Sequence, residues 1–292
     1  MRANPADYEL VVPETLQEVL RLQSSEPGSW LPIAGGTDVM VLYAAGKLHS
    51  RKLVSISGLR ELRNIEVTSA EARIGAGCTY TDLRQHSVIA KEFPLLARAG
   101  AWTGGIANQN RGTLGGNIAN ASPAGDSLPV LLVYDADLIL VSARGERRIP
   151  YRTFHTGYKK TLLAPDELIH SISISRNLQG YISYAKKVGA RNAQAISKVF
   201  LAAMARISNT MIEDVRLAAG SVGPIPMRLA KTERALVGRT IDDSLLEIAG
   251  EVVAKEIQPI DDIRSTANYR TMVLQNLLGE FLRGLPGARI AS

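Results

Sequence analysis

Cysteine is almost absent from this chain. A single one, Cys78, among 292 residues excludes an internal disulfide and any four-cysteine iron–sulfur or zinc cluster built by the chain alone. It lies in Ile74-Gly75-Ala76-Gly77-Cys78-Thr79, a small-residue strand end, and reads as a buried structural thiol rather than a nucleophile. The four histidines, His49, His86, His155 and His170, share no ligand-like spacing, so no metal site is expected. Aromatics make up 5% of the chain, too few for a base-stacking platform, and the lysines and arginines behind its net charge of +6 are scattered. Nucleic acid is therefore not an expected partner; a solvated basic surface, or one that docks on an acidic partner, is the simpler reading. No apolar run approaches the roughly 20 residues that span a bilayer. Met1-Arg2-Ala3-Asn4-Pro5 leads into no signal-peptide apolar core, and a cytoplasmic protein with no membrane span is expected.

What remains is an ordinary folded composition, 46% hydrophobic and 21% charged, long enough for two or three subdomains. Apolar spacing predicts a helix over 14–23, a strand over 30–34, a helix over 37–45 and a strand over 52–56. That order favours parallel pairing, with a loop at the carboxyl end of the first strand. A hairpin over 65–75, helices over 80–86 and 94–102, a loop over 104–125, a helix over 126–134 and strands over 136–142, 147–150 and 167–175 follow. The texture then changes to strands at 181–188, 197–208 and 212–222, and helices at 227–237, 243–257 and 266–284. The predicted fold is α+β. A domain over 1–177, with subdomains 1–56 and 57–177, precedes a second over 178–292 that carries a three-stranded antiparallel sheet and helices.

Two glycine pairs stand out, Ile33-Ala34-Gly35-Gly36-Thr37-Asp38 and Thr113-Leu114-Gly115-Gly116-Asn117. Glycine lets backbone amides approach a ligand at distances a Cβ forbids, and runs of such amides form anion-binding concavities. Neither pair belongs to a GxGxxG or GxxxxGK[ST] motif, so a Rossmann domain and a P-loop are not supported. Around the second pair, residues 103–127 are rich in glycines, amides and hydroxyls, from Thr103 to the lone carboxylate Asp126. A pyrophosphate needs N–H and O–H donors without bulk, and a sugar chain needs hydroxyl-pairing groups; this loop has both.

Four segments in order, Ala34-Gly35-Gly36-Thr37-Asp38, Asn110 to Ile118, Ala121-Ser122-Pro123-Ala124-Gly125-Asp126 and Gly157-Tyr158-Lys159-Lys160-Thr161-Leu162-Leu163, resemble the FAD-binding subunit of the molybdenum hydroxylases. That family includes xanthine dehydrogenase and the medium subunit of aerobic carbon monoxide dehydrogenase, and the resemblance extends over essentially the whole chain. It implies a two-subdomain FAD-binding fold of the vanillyl-alcohol-oxidase type with a carboxyl-terminal flavoprotein domain. Pro32, Ile33, Ala34, Gly35, Gly36, Thr37 and Asp38 would wrap the FAD pyrophosphate together with Gly112, Thr113, Gly115, Gly116 and Asn117, with Thr103 nearby. Asn117, Asn120 and Asp126 would pair with ribityl and ribose groups, Ile169 would pack on the isoalloxazine, and Lys187 would lie close to it. Tyr158 takes the aromatic position where a nicotinamide approaches. No catalytic acid or base is implied, because the redox chemistry belongs to the cofactor.

The resemblance further implies partners: an iron–sulfur subunit holding [2Fe-2S] and a large subunit holding molybdopterin, with electrons leaving FAD for NAD or another acceptor in a xanthine dehydrogenase-like complex. On the residues alone, alternatives stay open. Asp126 could cap the helix that follows it, Lys187 could be a solvated strand residue, and Tyr158 could be core. A stand-alone FAD-dependent oxidoreductase, or a non-enzymatic nucleotide-binding protein, would use similar loops.

Overall fold

The computed structural model describes residues 4–191 and 194–289; residues 1–3 and 290–292, the outer ends of the two expected domains, lie outside the described residues. The first unit runs β1 (Glu9–Val11), α1 (Leu16–Ser25), β2 (Trp30–Ile33), α2 (Val39–Ala44) and β3 (Lys52–Ser55). Its strands form a parallel sheet in the order β1-β3-β2. Helix α1 starts because the Thr15 hydroxyl accepts the Glu18 amide at 3.3 Å, and it buries Val19 and Leu20 with Trp30 and Val54. Strand β2 runs directly into Ala34-Gly35-Gly36, so the first glycine pair stands at the carboxyl end of a parallel strand, as the sequence predicts.

The second unit contains β4 (Ile65–Val67), β5 (Glu71–Gly75), α3 (Tyr80–Gln85), α4 (Ser87–Glu92), α5 (Pro94–Trp102), α6 (Ile106–Gln109), α7 (Leu114–Asn120) and α8 (Ser127–Val133). It continues with β6 (Asp137–Ser142), β7 (Gly145–Pro150), β8 (His155–Gly157), β9 (Lys160–Thr161) and β10 (Leu168–Ser175). An antiparallel sheet in the order β4-β5-β10-β6-β7 forms its base. Two expectations are corrected. The stretch 104–125 is not one irregular loop, since it holds α6 and α7; these are too short for periodicity to show, and α7 is held from outside. The Leu114 amide donates to Cys78 O at 3.0 Å and the Gly115 amide to Ala76 O at 2.8 Å. The β8–β9 hairpin and α4 also went unread, for the same reason of length.

The third unit runs β11 (Ile182–Val188), β12 (Val199–Ser208), β13 (Met211–Gly220), β14 (Met227–Arg228), α9 (Ala230–Leu236), α10 (Asp243–Glu256) and α11 (Ala267–Arg283). Its antiparallel sheet has a fourth, short strand beyond the three expected: Met227 and Arg228 pair with Ala219 and Ala218, and the helix expected from 227 starts at Ala230. Strand β12 is apolar from Val199 to Ala205 because both its faces are covered there. Phe200, Ala202 and Met204 join the core of the second unit, while Val199, Leu201, Ala203 and Ala205 pack with α9–α11. This alternation of side chains across a strand locks the third unit onto the second, with α8 buried along its length between them. No helix among the described residues is long and apolar enough to cross a membrane.

Candidate functional site

The two glycine loops meet. A Cβ on Gly35 would lie 1.6 Å from the carbonyl oxygen of Arg111, so the first loop packs directly against the backbone that leads into the second. Gly36 turns the chain with φ +75°, a conformation that costs other L-residues. Beyond that turn, among the described residues, the backbone N–H groups of Gly35, Gly36, Thr37 and Asp38 donate to no protein acceptor. On the second loop the amides other than that of Thr113 are engaged. Gly112 donates to Asn108 O, Leu114 and Gly115 donate as described above, and Asn117 donates to Thr113 O. The Gly116 amide donates to Thr113 Oγ1 at 3.1 Å. The donors free for an anion thus lie mainly on the first loop, with the Thr113 amide on the second, where a Cβ on Gly116 would come within 2.8 Å of Thr113 Oγ1.

Polar side chains join the loops. Asn120 Nδ2 donates to Asp38 Oδ1 at 3.4 Å, and Lys159 Nζ donates to Asn120 Oδ1 at 3.0 Å. This exposed chain connects the first loop, α7 and the β8–β9 hairpin. Tyr158, next to Lys159, is 65% exposed; it is a rim residue and not part of the core. Asn117 faces inward, where its Oδ1 accepts from Ser127 Oγ at 2.8 Å.

Asp126 is buried, 6% exposed, and its carboxylate caps nothing although it stands at the N-cap of α8. Instead Oδ2 accepts from Lys187 Nζ at 2.6 Å and Oδ1 accepts from Ser197 Oγ at 2.6 Å. Burial pushes the carboxyl upward in pKa, against Lys187 and Ser197, which hold it down. Lys187 Nζ also donates to Trp102 O at 3.0 Å, beside Thr103, whose hydroxyl donates to Ala99 O. Strand alternation explains the direction of Lys187. Its neighbour Lys186 reaches both carboxylate oxygens of Glu280 on α11, at 2.8 and 2.6 Å, so Lys187 must point to the opposite face, toward α5 and α8. The solvated-strand alternative for Lys187 is thereby removed.

Ile169 is buried in the core of the second unit, where a bulge between Ile169 and Ser171 interrupts the pairing of β10 with β6. Cys78 is fully buried and its thiol is pushed up to about 12, so it remains a structural thiol. Ser197 and Lys159 are the site residues that sequence reasoning did not single out. A cavity of about 560 Å³ beside Phe93, Tyr134, Arg176 and Tyr181 lies at the far end of α8 from Asp126. Its Arg176 is engaged by both carboxylate oxygens of Glu92, and no lining side chain is a buried unpartnered polar group. The polar chemistry lies with the glycine loops.

Comparison with known proteins identifies the family and the fold. Residues 6–176 match the family model "FAD binding domain in molybdopterin dehydrogenase", and residues 184–285 match "CO dehydrogenase flavoprotein C-terminal domain". The chain is 31% identical over 265 residues to the xanthine dehydrogenase FAD-binding subunit of Escherichia coli O157:H7, covering 90% of each chain. It is likewise 31% identical over 274 residues to the glyceraldehyde dehydrogenase medium chain of Sulfolobus acidocaldarius, covering 94% of this chain and 96% of that one. In fold it superposes on a chain of the carbon monoxide dehydrogenase of Hydrogenophaga pseudoflava with a TM-score of 0.90 at 24% identity, covering 94% and 95% of the two chains. The chain belongs to the FAD-binding medium subunits of the molybdenum hydroxylase family, of the xanthine dehydrogenase and carbon monoxide dehydrogenase type.

Proposed function

We propose that this chain is the flavin-bearing electron-transfer subunit of a xanthine dehydrogenase-like assembly, and that its two glycine loops hold the FAD pyrophosphate between them. The observation that carries this reading is the run of unpartnered amides from Gly35 to Asp38, pressed against the Arg111–Gly112 backbone at a distance only glycine allows. Four N–H groups in a row with no protein acceptor suit a multiply charged phosphate ligand. Pro32, Ile33 and Ala34 lead the chain into this turn, and Thr37 and Thr113 flank it with hydroxyls. Gly112, Gly115 and Gly116 keep the second loop close. Asp38, Asn120 and Lys159 form a polar rim suited to ribose or ribityl hydroxyls.

The buried Asp126–Lys187–Ser197 cluster, with Thr103 beside it, would support the site from beneath, and Ile169 would supply an apolar wall. Bound FAD supplies the redox chemistry, accepting and releasing electrons; the residues of this chain bind it, orient it and exclude water from its phosphate loops. Electrons would reach it from an iron–sulfur partner holding [2Fe-2S] and leave for NAD or another acceptor at a rim marked by Tyr158. Oxidation of substrate would occur on a molybdopterin-bearing subunit. The two equally similar relatives are named for xanthine and for glyceraldehyde, which supports placing the choice of substrate on that partner and not on this chain. A division into two domains near residue 177 fits the two family models, which stop and start at 176 and 184.

The test is the composition of the complex isolated through this chain. Flavin, iron and molybdenum should co-purify in fixed ratio, and flavin should bleach when substrate is added. A chain that runs alone and turns over a substrate without iron or molybdenum would be a stand-alone flavoenzyme, and one that takes up a nucleotide but no flavin would be a nucleotide-binding protein.

A further inference from the structure

Arg270 on α11 is 2% exposed, and its charge is deep inside the third unit. A guanidinium buried there depends on its partners, because removing them leaves an uncompensated buried charge. Its two terminal nitrogens are held by three groups, while Nε meets no acceptor among the described residues. Nη1 donates to the carbonyl oxygens of Lys198 and Ser221, both at 2.9 Å, and Nη2 donates to Asp262 Oδ1 at 2.7 Å. A lysine has no fork that could hold this geometry. Asp262 is in turn fixed by the amides of Arg264 and Ser265 at 2.8 and 3.2 Å.

The two carbonyls that Arg270 grips belong to strand ends that reach the cofactor side. Lys198 donates its amide to Val188 O at 2.8 Å, the residue after Lys187. Ser221, which holds φ 63°, donates its hydroxyl to Ser197 O at 2.9 Å. Ser197 then donates to Asp126 Oδ1, and Asp126 accepts from Lys187. An unbroken series of short polar contacts therefore runs from α11 to the carboxylate beneath the glycine loops.

We propose that Arg270 is a positioning residue for the flavin site, which it reaches through Ser221, Ser197 and Asp126. The inference rests on the proposal that the glycine loops bind FAD. Arg270 touches no part of that site itself; it sets where the β11–β12 and β13 ends lie, and so where Ser197 meets Asp126.

A double-mutant cycle on the full chain tests this, with FAD affinity read by flavin fluorescence and the Tm of the apoprotein recorded in parallel. Ser197→Ala should weaken FAD about tenfold, the size of one lost hydrogen bond to a charged group, and lower apoprotein Tm by a few degrees. Arg270→Met should weaken FAD by a similar factor while lowering Tm, and the double variant should bind no more than about tenfold more weakly than wild type, because both changes break one series of contacts. If Arg270→Met does not fold, Ser221→Ala replaces it in the cycle with the same expectation. Wild-type affinity in Arg270→Met despite a lowered Tm, or additive losses of about a hundredfold in the double variant, would overturn the proposal and leave Arg270 a structural rivet. A wild-type chain that takes up no FAD at all would instead overturn the reading of the loops, and this proposal with it.

Discussion

Gly35 and Gly116 belong to the two loops proposed to hold the FAD pyrophosphate, yet the structure separates what each one does. A methyl group on Gly35 would overlap the Arg111 carbonyl oxygen at 1.6 Å, so Gly35→Ala must push the loops apart. We expect it to destabilise the chain by about 1–3 kcal/mol, the usual size of an overpacking error, and to lose FAD, both read by thermal melts with and without flavin. At Gly116 an added Cβ would lie 2.8 Å from Thr113 Oγ1, the hydroxyl that caps α7, so Gly116→Val should block the ligand and also lower apoprotein Tm by several degrees, about the cost of a disturbed cap. Asp126 changes its meaning in a similar way. As a surface ligand or a cap, its loss would be mild. As the partner of Lys187, with the two side chains 6% and 10% exposed, its removal leaves a buried ammonium unpaired. Asp126→Ala should cost about 3 kcal/mol by denaturant unfolding, and Asp126→Ala combined with Lys187→Met should recover most of that loss. A double variant no more stable than the single would show that the pair is not coupled.

At the scale of elements, β11 carries the plainest lesson. Lys186 and Lys187 are adjacent and chemically identical, but pleating sends one to exposed Glu280 and the other to buried Asp126. Lys186→Ala should therefore change stability by less than about 1 kcal/mol, as exposed ion pairs usually do, whereas Lys187→Ala should be costly in a urea melt. The short strand β8 supplies a pH signature. His155, 7% exposed, has its pKa lowered to about 4 by burial, and its Nε2 lies 3.0 Å from the Tyr151 hydroxyl. The unfolded chain binds a proton at His155 below pH 6.5, and the folded chain does not until about pH 4. Stability from this group is thus complete above pH 6.5 and is lost as pH falls toward 4, by up to about 3 kcal/mol. His155→Phe should flatten the fall in Tm between pH 7 and pH 4; an unchanged slope would show that another group sets it.

The long elements of the chain were legible because their apolar spacing is long: α1, α10, α11 and the meander β11–β13 lie close to where periodicity puts them. The pieces that complete the site were not. Helices α6 and α7 and the β8–β9 hairpin are short, and their positions are set by partners far away in sequence, such as Cys78 and Ala76 for α7. The same limit applies to side chains. The glycine pairs, Asp126 and Lys187 could be named from motif resemblance, but Ser197 and Arg270 carry no local pattern and become visible only through the contacts that fold around them.

For the whole molecule, the third unit packs on the second through alternating faces of β12 and through the buried α8. Charged links between them include the buried Asp126–Lys187 pair and the pairing of Asp135 with Arg216 and Arg228. The proposed flavin site and the packing of these two units therefore share residues, and FAD should raise the Tm of the entire chain in one transition rather than protect a fragment. Separate transitions, only one of them sensitive to flavin, would show that the units melt independently.

The central claim is that the two glycine loops close on one FAD. Its most direct measurement is the flavin content of the purified full chain after saturation with FAD and gel filtration, for wild type and Gly116→Val side by side. The account predicts stoichiometric flavin absorbance in the wild type and almost none in the variant. Undiminished flavin in Gly116→Val, or no flavin bands in the wild type, would contradict it.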